Sequence, residues 1–167
     1  MRRDVALDLN RSSRIFRDTV WPIIGERLGG GELIPVESVT AEGFQKLLDV
    51  EAGIDGWQVV RGRGMRGIAS RVQIMSGQLP YRSFTVRYWR EHGVNDVEWH
   101  KRIKALLADQ ENWLCPHWTV QAYVDGQENL LYACAIETSY LYFVLQTPEN
   151  REWFSVKSRL NEGSYPG

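Results

Sequence analysis

Residues 53–75 read GIDGWQVVRGRGMRGIASRVQIM, and the spacing of side chains in this stretch decides the fold. Ile54 to Val60 and Ile68 to Met75 are runs rich in aliphatic and aromatic residues, separated by Gly62, Gly64 and Gly67. Two strand-like runs broken by a glycine-rich segment predict an antiparallel hairpin. Successive side chains of a strand alternate between faces, so Ala69, Arg71 and Gln73 share one face of the second strand. Ile68, Ser70, Val72 and Ile74 share the other, mostly apolar one. Asp55 stands on the first of these strands, just before the hairpin, and the short turn predicts that it comes near Arg71 or Gln73 across the two strands.

The charge of this region is one-sided. Between Asp55 and Glu91 there is no Asp or Glu, while Arg61, Arg63, Arg66, Arg71, Arg82, Arg87 and Arg90 all fall there. The whole chain has a net charge of −1, so a segment carrying +7 leaves −8 on the remainder. All seven cations are arginine, whose planar fork suits phosphate better than the point charge of lysine. The competing reading is a solvated face balanced by acidic neighbours in space.

Outward from the hairpin, the flanking segments are helical. Residues 12–28 carry Ile15, Phe16, Val20, Ile23, Ile24 and Leu28 at near-helical spacing, with Ser12 or Ser13 as the expected cap and Gly29-Gly30-Gly31 as the stop. A short extended piece, Leu33 to Val36, precedes a second helix that Thr40 is expected to cap, with Phe44, Leu47 and Leu48 facing inward. Downstream, 82–89 reads as a third strand, with Phe84, Val86 and Tyr88 on one side. A helix runs from Asn95 or Asp96 to about Ala108. Trp118–Val124 and Leu130–Ile136 are two more strands joined at Asp125-Gly126, a hairpin turn. Thr138 begins a last, aromatic-rich helix. The expected class is α+β: a central mixed sheet with an antiparallel meander, flanked by helices. One domain over 1–167 is expected, with a C-terminal tail from about 148 to 167.

Within this order of elements, Gly53-Ile54-Asp55 followed by Arg71-Val72-Gln73 on the next strand resembles the PD-(D/E)XK, or restriction-endonuclease-like, nuclease superfamily over roughly residues 12–124. The resemblance implies an α-β-β-β-α-β core. It also implies a divalent metal, normally Mg²⁺, held by at least two carboxylates. It places Asp55 as the first motif element and Arg71 and Gln73 at the second, making these three the candidate catalytic residues. Where the family carries an acid, this chain has Arg71, and where it usually carries lysine, it has Gln73. A second register aligns Ala69-Ser70-Arg71 and leaves Asp55 as the only hairpin carboxylate. The candidate metal ligands are therefore Asp55 with Glu26 or Glu51.

Other motifs read more simply. Gly62-x-Gly64-x-x-Gly67 matches a dinucleotide fingerprint by letter but lies between two strands, so it reads as a hairpin turn. That turn, bearing Arg61, Arg63 and Arg66, has the character to reach a nucleic-acid groove. Arg82, Arg87, Lys101 and Arg102 complete the expected nucleic-acid-binding set, DNA more than RNA. His92, His100 and His117 share no metal-ligand spacing. Cys115 and Cys134 are too few for a disulfide framework and read as buried free thiols. There is no run of 18 apolar residues and no apolar signal segment after Met1, so no membrane partner and a cytoplasmic location are expected. Three functions compete: a metal-dependent nuclease, a catalytically silent nucleic-acid-binding domain on the same fold, and an assembly module in which the acidic remainder faces the arginines of a second copy as a homodimer.

Overall fold

The computed structural model describes residues 5–38, 41–75, 84–87, 98–107 and 114–153. Five strands form one sheet in the order β1-β2-β3-β4-β5: Glu32–Pro35, Gly56–Val60, Gly64–Ile74, Trp118–Val124 and Leu130–Glu137. The first three make an antiparallel meander. β3 and β4 run parallel, with Ile68 opposite Trp118 and Arg71 opposite Gln121, and β5 returns antiparallel. A parallel neighbour requires a crossover connection, and helix α4, Glu98–Leu107, lies within it. The α+β class and the mixed sheet are those expected, but the meander is built differently. Its first member is the short piece after the opening helix. In the strand expected over 82–89, the described residues 84–87 pair with no strand, and the remainder lies outside the described residues.

The opening helix starts at Val5, earlier than expected. It runs as α1, Val5–Ile15, then a π-helical turn, Phe16–Val20, then α2, Trp21–Arg27. Pro22 explains the turn. Proline has no N–H to give the ladder, and just before it the Trp21 N–H reaches back five residues to the Phe16 carbonyl. Ser12 and Ser13 lie inside the helix and cap nothing; the Ser13 hydroxyl donates to Glu37 Oε1 at 2.8 Å instead. Phe16, Val20, Trp21 and Ile24 pack on Ile68, Val120 and Ala122, forming the core on one face of the sheet.

The opposite face is covered by the remaining helices. Helix α3, Glu42–Lys46, widens into a second π-helical turn over Leu47–Ala52. Leu48 is fully buried, while Phe44 and Leu47, both expected to face inward, are exposed. Leu48 joins Val36, Ala52 and Ile54 in a second core cluster, with Trp57 against it. Thr40 lies outside the described residues. Helix α5, Thr138–Gln146, begins where the hydroxyls of Thr119 and Thr138 meet at 2.8 Å in the interior. The expected cap thus serves as a buried tie to β4.

The β4–β5 connection is longer than the two-residue turn its Asp-Gly predicts. Asp125 Oδ1 accepts from the N–H groups of Gln127 and Asn129 at 2.8 and 2.9 Å, closing a loop over 125–129. The 148–153 stretch forms a 3₁₀ helix where a tail was expected, and residues beyond it lie outside the described set. Cys115 and Cys134 are free thiols but only half-buried. No helix among the described residues is long and apolar enough to cross a membrane.

Candidate nucleic-acid interface and the Asp55 cleft

Asp55 is placed by backbone pairing on both sides. Its N–H donates to the Ile68 carbonyl at 2.8 Å and its carbonyl accepts from Val36 N–H at 3.0 Å. β3 continues past the point where β2 begins, so Ser70 has no β2 backbone partner. The Asp55 carboxylate fills that role: its Oδ2 accepts the Ser70 N–H at 2.5 Å and the Ser70 hydroxyl at 3.1 Å. Burial pushes the Asp55 carboxyl up to about 6, against the pull of the Ser70 bonds; Asp49 adds to the rise and Arg102 opposes it.

Asp55 therefore looks to the α1 face of the sheet, and this overturns its expected place beside Arg71 and Gln73. Those two side chains occupy the other face, by the same alternation that puts Ile68 and Ser70 toward α1. Arg71 is committed there. Its Nη2 donates to Glu98 Oε2 at 3.0 Å, and its Nη1 donates to the carbonyl and hydroxyl oxygens of Thr85 at 3.1 and 3.0 Å. Gln121, buried beside it on β4, accepts from Thr85 N–H at 2.8 Å and donates to the Tyr123 hydroxyl at 2.9 Å. Arg87 N–H also donates to Glu98 Oε2, at 3.3 Å. Arg71 thus fastens residues 84–87 and α4 to the sheet, and it is not part of the Asp55 site. Gln73 is half-buried on the same face, opposite Tyr123.

On the Asp55 side, a small cavity is lined by Ser13, Phe16, Arg17, Glu37, Asp55 and Ser70, among others. At about 20 Å³ it has room for a single water-sized occupant. It adjoins a wider groove edged by Asn10, Arg14, Arg17 and Ser38. Glu37 is the second carboxylate here, and the sequence reading missed it. Glu26 lies exposed on α2 and does not line this cavity; the side chain of Glu51 lies outside the described residues. Among the described residues, no group of three or more His, Cys, Asp or Glu side chains is placed to hold a metal. Asp55 Oδ1 and Glu37 Oε2 accept no hydrogen bond from them. Mg²⁺ can be held by one or two carboxylates with waters and substrate phosphate completing its shell, and Asp55 and Glu37 are the carboxylates that would hold it here.

The expected nucleic-acid contacts divide sharply. Arg61 and Arg63 stand exposed at the tip of the β2–β3 hairpin, and Arg66 is half-buried beside it. Among the described residues none of the three is held in a salt bridge. Arg87 is exposed and Lys101 is half-buried on α4. Arg82 lies outside the described residues. Arg102, expected among these contacts, is not at the surface. It is 3 % exposed. Its guanidinium donates to the carbonyls of Ala52 and Gly53, bracing the loop that presents Asp55. His100 and Lys104, one turn apart, form the exposed side of α4.

Glu98 and Glu37 carried no sequence signal of their own, since each acquires its role only when a distant segment folds against it. Comparisons with family models, curated proteins and solved structures return no match, so the functional reading rests on these residues alone.

Proposed function

We propose that this chain is a nucleic-acid-binding domain on a restriction-endonuclease-like scaffold, with the hairpin arginines as its phosphate contacts. The observation that carries the reading is the tip of the β2–β3 hairpin, where Arg61 and Arg63 are exposed and without ion partners among the described residues. Exposed guanidinium groups at a hairpin tip have the electrostatic character of a polyanion site. The antiparallel β1-β2-β3 meander followed by α4 and a β4 parallel to β3 supports the scaffold, although α3 is inserted between β1 and β2. The position facing Asp55 across the hairpin is Ser70, a donor where a metal-holding acid would be needed, and this supports a silent site over an active one. The test is binding of labelled DNA at rising salt. The logarithm of the affinity should fall linearly with the logarithm of salt concentration, and replacing both Arg61 and Arg63 by alanine should reduce the slope by about two. An affinity insensitive to salt would overturn the reading.

A second reading, a metal-dependent phosphodiesterase, is favoured by one observation: Asp55 and Glu37 line the same cavity. In that reading the two carboxylates would hold Mg²⁺, which would polarise a phosphoryl oxygen when bound. Incubation with plasmid and single-stranded DNA in Mg²⁺ or Mn²⁺ decides it. Cleavage lost on Asp55→Ala and on Glu37→Gln would support it, and equal inertness of wild type and both variants would remove it.

A further inference from the structure

We propose that the β2–β3 hairpin is a wedge that enters the minor groove of B-form DNA, with Met65 inserting between base pairs and bending the duplex. The inference rests on the nucleic-acid reading above and goes beyond it by naming the form of nucleic acid, the groove and the inserting residue. Met65 is 60 % exposed, an apolar side chain that follows Arg61 and Arg63 in the hairpin. An apolar residue exposed beside cations is what a bending minor-groove binder needs: arginines take the phosphates and the narrow groove, and the apolar side chain unstacks one base step. Methionine is unbranched and polarisable, so it can slide between bases.

A wedge also needs a stiff base, and the hairpin has one. Met65 is opposite Val59, and Gly64 opposite Val60, in a paired ribbon. Below them Gln58 is fully buried. Its Nε2 donates to the carbonyls of Leu28 and Gly30 at 3.2 and 2.6 Å, tying the ribbon to the end of α2. Gly31, with φ of +98°, lets that end approach so closely that a Cβ there would lie 2.4 Å from the Val59 carbonyl oxygen. Force applied at the tip is thus transmitted to the helix and the core. Duplex RNA is a poor fit, because its deep, narrow major groove is closed to side chains and its minor groove is shallow. Alternation along β3 separates Met65 from Arg66, so the wedge and that arginine leave the ribbon on opposite faces.

The test is a duplex of about 30 base pairs with a donor and an acceptor dye at its ends, titrated with the full chain at low salt, beside single-stranded DNA and duplex RNA of equal length. Wild type should bind duplex DNA and raise energy transfer. At protein concentrations that saturate the duplex, Met65→Ala should lose most of that rise, whereas Met65→Leu should keep it. Equal bending by wild type and Met65→Ala, binding with no change in end-to-end distance, or about tenfold tighter binding to single strands or duplex RNA would overturn the wedge while leaving nucleic-acid binding intact. Absence of binding to every probe would overturn the underlying reading as well.

Discussion

The guanidinium of Arg102 rests on Gly53: its Nη2 donates to the Gly53 carbonyl at 2.7 Å, and a Cβ added at Gly53 would lie 2.9 Å from that same nitrogen. Gly53 has φ of +59°, a conformation that side-chain-bearing residues seldom adopt. A cation on α4 thereby sets the loop that delivers Asp55 to the sheet. Arg102→Met would take this donor from one buried and one part-buried carbonyl and should cost about 2–4 kcal/mol. Gly53→Ala should cost about 1–3 kcal/mol through strain and contact with the guanidinium. Urea unfolding should show both as lower midpoints at unchanged slope.

Asp55 makes stability depend on pH in an unusual direction for a carboxylate. Its pKa is raised from 3.8 to about 6 by burial, so the folded state holds the proton more tightly than the unfolded chain. The stabilising effect of protonation is present below about pH 4 and is lost as pH rises through about 6. Asp55→Asn mimics the protonated form and keeps an acceptor for Ser70. The stability of wild type relative to Asp55→Asn should therefore fall by about 2–3 kcal/mol between pH 4 and pH 7. Denaturant midpoints of both proteins at the two pH values measure this, and a pH-independent difference would remove the buried-carboxylate account.

Much of the sheet could be read from runs of aliphatic and aromatic residues, which mark even a strand such as β4 that is buried on both faces, and from alternation where one face is wet. β4 was legible to the residue, and β3 was legible in the row Ile68, Ser70, Val72. The error at the site came from the step after alternation. Asp55 lies in a loop before β2, where period-two reasoning does not apply, and its side chain turns to cap Ser70 N–H on the α1 face. Helix phase failed for a related reason. The π-helical turn at 47–52 departs from the 3.6-residue period, and Leu47 within it faces solvent; Phe44, in α3 ahead of that turn, is exposed as well. Arg102 and Arg61 are identical as letters, and only the tertiary fold makes one a buried brace and leaves the other exposed.

The Arg71–Glu98 pair should behave as a structural clasp. Its side chains are 20 % and 18 % exposed, which is buried enough to limit screening but wet enough to limit the gain. A double-mutant cycle with Arg71→Met and Glu98→Gln should give a coupling energy of about 0.5–1.5 kcal/mol. Arg71→Met should leave the salt slope of DNA binding unchanged, because Arg71 neutralises no phosphate in this arrangement. A slope lowered by about one would place Arg71 among the phosphate contacts.

Gln121 is the sharpest test of how residues 84–87 are held. It is 2 % exposed and meets Thr85 through both ends of its amide: Oε1 accepts the Thr85 N–H, and Nε2 donates to the Thr85 hydroxyl at 3.0 Å. Gln121→Leu keeps the volume but removes both partners and leaves the Tyr123 hydroxyl without this donor. The expected cost is about 1–3 kcal/mol, from buried polar groups left unsatisfied. Because the loss is local, amide exchange at Thr85 should accelerate more than exchange in the β4 interior. Uniform acceleration across both would mean that Gln121 supports the core as a whole instead of this segment.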